Sequence, residues 1–160
     1  MNTNELIEKI NKFKNNSIDL SSEEDLVVGI MNLLGLEEHF FFTAEKTGKD
    51  DYLKMLQEVR EIRKTLLSKL ISKTEGEVWC ISKHLLAASY RLMEVGTKLQ
   101  NDNKQTEAKQ FFDYSYKLYT MFWGLRLKLI DLSDIKKEAN KEEPWTLKDI
   151  VDKLVDCCGE

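Results

Sequence analysis

Apolar residues recur at helical spacing in four long segments between Asp19 and Asp131, and no alternating strand pattern competes with them. The first segment opens at Ser21 or Ser22, where Ser21 and Glu24 have capping-box spacing, and runs to about Thr47 before the stop at Gly48. The second runs from about Asp50 to Ser72. Thr74 with Glu77 forms a further capping box for a third helix through Val78, Ile81, Leu85, Ala88, Leu92, Val95 and Leu99, closed by Asn101, Asp102 and Asn103. The fourth covers about Gln105 to Leu132. Every connection is a few residues long, which makes sequential helices antiparallel neighbours. The expected fold is all-α: an antiparallel up-and-down four-helix bundle over about 21–132, with a short extra helix at each terminus.

The N-terminal helix spans about 4–14 and gathers Leu6, Ile7, Ile10 and Phe13 on one side, with a polar link from Asn15 to Leu20. The C-terminal helix spans about 146–157. It follows Pro144, takes Thr146 as its cap, and pairs Trp145 with Ile150 at hydrophobic-staple spacing ahead of Leu147, Val151, Leu154 and Val155. Ser133 to Glu143 is a charged linker. Helices this short are unstable alone in water, so each is expected to dock its apolar face on something. The whole chain, 1–160, reads as one domain.

Two features of this pattern are unusual. The fourth helix carries an ordinary core stripe of Phe111, Leu118, Phe122, Leu125 and Leu129, and a second apolar stripe of Phe112, Tyr116, Tyr119, Trp123 and Ile130 about 100° away. One core does not use both, so the second is expected to meet an end helix, a protein partner or a second copy of the chain, with Phe112, Tyr116, Trp123 and Ile130 as interface residues.

The other feature is charge inside the apolar arcs. On the first helix the arc centres on Ile30, Leu34 and Phe41, and Glu37 falls within it; on the second, Arg63 lies near the middle of the arc with Arg60 on its flank. A hairpin turning near Gly48 sets Glu37 level with Arg60 and within one turn of Arg63. Counting across the next two hairpins brings His84 and Tyr119 to the same height, giving one polar layer: Glu37, Arg60, Arg63, His84 and Tyr119. A buried charge must be paired, so the layer is either an internal network that fixes helix register or an enclosed site for a small anionic ligand.

Composition narrows the field. The chain has 160 residues, 42% hydrophobic and 32% charged, with one Pro and 7 Gly, which excludes disordered and collagen-like classes. Met1 to Lys9 has no signal-peptide core, and no apolar run is read as approaching the ~18 residues of a membrane span. Cys80, Cys157 and Cys158 do not make a disulfide framework, which suits a reducing, cytoplasmic compartment. A net charge of -4, with basic and acidic residues interleaved, gives no reason to bind nucleic acid or an anionic membrane.

Enzyme chemistry finds little support. A di-iron bundle requires Glu-x-x-His pairs on two helices, and they are absent; His39 points about 200° from Glu37 around the same helix. Cys80 and His84 share a ridge with Glu77 and could hold zinc together with Cys157 and Cys158, a weak signal for which no metal or other cofactor is assigned. Glu37, Glu38, Glu58 and Glu61 do not form a magnesium cluster, because Glu58 and Glu61 fall outside the core arc. Phosphate loops, dinucleotide fingerprints and serine elbows are all missing. The leading expectation is a non-catalytic interaction or binding protein that self-associates through the aromatic face of the fourth helix. The alternative is a small-molecule-binding or metal-dependent bundle enzyme built on the Glu37, Arg63 and His84 layer.

Overall fold

The computed structural model describes Glu8, residues 20–73 and residues 76–129. Four helices and no strand occur among the described residues: α1 (Ser21–Thr47), α2 (Asp51–Leu67), α3 (Glu77–Asn101) and α4 (Gln105–Arg126). The expected terminal helices, Ile130, Cys157, Cys158 and the Thr74 half of the second capping box lie outside the described residues.

Helix ends follow backbone chemistry more than side-chain caps. α1 starts after Leu20 with no side-chain cap bond, and Ser21 is already helical, so the expected Ser21–Glu24 capping box does not set its boundary. Its C-terminus behaves as expected: Gly48 adopts the left-handed conformation at φ 65° and donates its N–H to the Ala44 carbonyl at 2.8 Å, a geometry that favours glycine. α2 ends at Leu67 and continues only as turns through Ile71, shorter than the expected end at Ser72. α4 ends at Arg126, short of Leu132, where Leu127 to Leu129 form a turn with Lys128 at φ 54°.

α1 packs on α2, α3 on α4, and α1 on α3. The first two contacts are antiparallel hairpins, as shown by Glu37 meeting Arg60 and Arg63 across Gly48, and by Ser89 meeting Ser115 across the Asn101–Lys104 turn. α2 and α3, neighbours in sequence, do not pack along their lengths. The apolar core gathers where α1 begins, α2 ends, α3 begins and α4 ends, around Val27, Ile30, Leu67, Trp79, Leu86 and Phe122. Beyond Glu37 the one buried residue of α1 is Ala44. Phe41 has the phase of the core arc yet is 45% exposed, a correction to its place at the centre of that arc. Helical phase places a side chain around the axis but says nothing about whether a neighbour reaches that height.

α1 also corrects the reading of the chain as lacking any bilayer-length apolar run. One 18-residue stretch within Ser21–Thr47 has a mean hydropathy of 1.3, long and apolar enough to cross a membrane by length and composition. Glu37 and Glu38, near the middle of that helix, are both ion-paired to other helices.

Candidate functional site

The centre of the molecule is organised by two consecutive carboxylates on α1. Adjacent helical residues point about 100° apart, so Glu37 and Glu38 address different neighbours. Glu37 faces α2. Its Oε1 accepts from Arg63 Nε at 2.8 Å, and its Oε2 accepts from Arg63 Nη2 at 3.3 Å and from Arg60 Nε at 3.1 Å. Arg63 thus grips the carboxylate with a fork, the arrangement that makes Arg–carboxylate pairs directional. Glu37 is 8% exposed and Arg63 1%, so the pair meets in a dry interior, while Arg60 closes it from the rim with 41% of its side chain exposed. Removing Arg63 leaves the buried carboxylate with only the rim Arg60, which costs more than the pair gains by forming.

Glu38 faces α3, where it accepts a hydrogen bond from Arg91 Nη2 in a half-exposed ion pair. One turn earlier Gly35 lets the two helices touch: a Cβ there would stand 2.7 Å from the Tyr90 ring. α1 is therefore tied to α2 by one carboxylate and to α3 by the next. Alongside this contact a cleft of about 600 Å³ runs between α1 and α3, lined by His39, Phe42 and Lys46 from one side and Tyr90, Glu94 and Lys98 from the other.

Two members of the expected layer are elsewhere. His84 is exposed and makes no hydrogen bond to Glu37, Arg60 or Arg63; Tyr119 is half-buried and packs between Tyr116 and Trp123. The error in His84 is one residue of rotation. The buried face of α3 contains Ser82, Ser89 and Gly96, which an apolar count ignores, and shifting the face onto them turns His84 outward. The zinc reading fails locally for the same reason: Cys80 is buried, His84 and Glu77 are exposed, and no group of three metal-binding side chains occurs among the described residues.

That overlooked seam holds the second hairpin. Ser82, Ser89 and Gly96 recur every seven residues on α3, opposite Phe122, Ser115 and Ala108, which recur every seven on α4. At its middle each serine hydroxyl donates to the other's backbone carbonyl, Ser89 Oγ to Ser115 O at 2.9 Å and Ser115 Oγ to Ser89 O at 2.7 Å. At its end the Phe112 ring lies over Gly96, where a Cβ would come within 2.7 Å. The seam runs between the two apolar stripes of α4, so each is partly covered by α3. Phe112 is half-buried and packs against Gly96 within its own chain.

What stays accessible on α4 is a ladder of rings. Tyr116 is 68% exposed; its ring centroid is 6.4 Å from Tyr119, which stands edge-on to Trp123 at 6.2 Å. Trp123 in turn packs against the core and Phe122. A further hollow of about 560 Å³ at the other end of the molecule is lined by Lys69, Lys73, Arg126 and Lys128. Two of these cations have partners within the fold: Arg126 donates to Glu23 of α1 at 2.7 Å, and Lys73 lies 5.6 Å over the Trp79 ring. No family model, curated protein or solved structure matches this chain.

Proposed function

We propose that this chain is a non-catalytic interaction protein: an antiparallel four-helix bundle that self-associates through the aromatic side of α4. The observation that carries the reading is the Tyr116, Tyr119 and Trp123 ladder, which is anchored in the core at Trp123 and open to solvent at Tyr116. Aromatic rings with few rotatable bonds supply large contact area at low entropic cost, and a two-fold axis lets one such patch serve both partners. An antiparallel α4 pair crossing near Tyr116 also sets Lys117 of one copy against Asp113 of the other, a favourable charge match. A cytoplasmic location accompanies this reading, in keeping with the buried Cys80 thiol.

A ligand or metal site inside the central layer draws less support, because the Glu37 carboxylate is already filled by two guanidinium groups. Sedimentation velocity tests the proposal. The full chain is expected to be a dimer at micromolar concentration, and Tyr116→Glu, at an exposed position, to weaken dimerisation at least about tenfold with an unchanged melting temperature. A chain that remains monomeric at high micromolar concentration defeats it.

A further inference from the structure

We infer that the cleft between α1 and α3 binds an aromatic anion of about mononucleotide size: a planar ring carrying a phosphate or carboxylate. The cleft is a consequence of how α1 is held. Gly35 against Tyr90 brings the helices into contact, and the half-exposed Glu38–Arg91 pair beside that contact forms part of the cleft's lining. The resulting space of about 600 Å³ falls in the ~300–1,000 Å³ range of small-molecule sites.

Its walls are chemically divided. Phe42 is 49% exposed although it belongs to an otherwise apolar helix, and it shares the cleft with the Tyr90 ring, so a flat ring entering here meets aromatic surface on both helices. Lys46 and Lys98 reach the same cleft from α1 and α3, and among the described residues neither forms an ion pair. Arg91 uses only Nη2 on Glu38, which leaves further guanidinium donors for an incoming oxyanion. Asn32, Thr43 and His39 add polar groups to the lining, and its three cations, Lys46, Arg91 and Lys98, stand beside two carboxylates, Glu94 and the Glu38 that Arg91 already holds. Positive charge from two helices beside an aromatic wall is the recognition chemistry of a ring-bearing anion, and it owes nothing to the dimer surface on α4.

The test is a titration of the isotope-labelled full chain, read by amide NMR shifts, with adenosine monophosphate and benzoate as probes. Adenosine and inorganic phosphate serve as half-ligand controls. Both probes are expected to move the signals of Gly35, His39 and Tyr90. Phe42→Ala and the double variant Lys46→Glu, Lys98→Glu are each expected to raise Kd at least about tenfold, with Tyr116→Glu unchanged. These positions are exposed or at the cleft edge, and unchanged melting confirms that the variants fold. No shift at millimolar probe overturns the inference, as does binding that the cleft variants leave intact. Adenosine binding as tightly as its phosphate removes the anionic requirement and overturns it; phosphate alone binding as tightly as the nucleotide does the same for the ring.

Discussion

The two hairpins of this protein are closed by opposite means. α1 and α2 are joined across a buried carboxylate held by two arginines, an interaction that is directional, long-reaching and intolerant of losing one partner. α3 and α4 are joined by small residues at seven-residue intervals, which let the backbones approach and exchange serine hydroxyl bonds. In the first case long side chains bridge a gap; in the second the gap has been removed. The difference predicts unequal sensitivity. The charged hairpin fails through electrostatics when one group is deleted, whereas the small-residue hairpin fails through sterics when a group is added.

Five substitutions sharpen that contrast. The largest effect is expected from Arg63→Met, which leaves the buried Glu37 with only the half-exposed Arg60 and should cost about 3 kcal/mol in denaturant unfolding. Adding Glu37→Leu to it should restore most of that loss, since a well-packed apolar pair often matches a buried ion pair; a double variant no better than the single would show that the layer is held by more than charge. Gly96→Val is expected to cost about 1–3 kcal/mol by forcing the Phe112 ring off the seam, partly offset by the better helix propensity of a non-glycine residue. Calorimetry giving a melting temperature at or above that of the parent would refute the close-packed account. Ser89→Ala should cost about 1 kcal/mol, the worth of one hydrogen bond whose partner carbonyl keeps its helical N–H. Smallest of all is Arg91→Ala: its ion pair with Glu38 is half-exposed and salt-screened, so a change within about 1 kcal/mol that shrinks further in high salt is expected.

How far the sequence foretold this depended on what each contact is made of. The Glu37–Arg63 pair was legible because charges at core phase on consecutive helices have few ways to be satisfied, and a short turn at Gly48 fixes their heights. The four helices among the described residues and most of their bounds were legible from apolar period and glycine or asparagine stops. The α3–α4 seam was not, because serine, glycine and alanine score as neutral in any apolar count; the seven-residue spacing of Ser82, Ser89 and Gly96 was the available signal. Missing it rotated α3 by one residue and carried His84 into a layer it does not join. Arg91 was equally hard to place: α1 meeting α3, helices separated in sequence by α2, does not follow from loop lengths, which speak only for sequential pairs.

The doublet Glu37–Glu38 has a geometric corollary. Because neighbouring residues on a helix differ in azimuth by a fixed step, the wedge between α2 and α3 as seen down the α1 axis is set by two successive side chains. α1 therefore works as an angular spacer: one residue inserted between the two glutamates would swing α3 round by that same step or sever one tie, while the same insertion beyond Gly48 would leave the wedge intact.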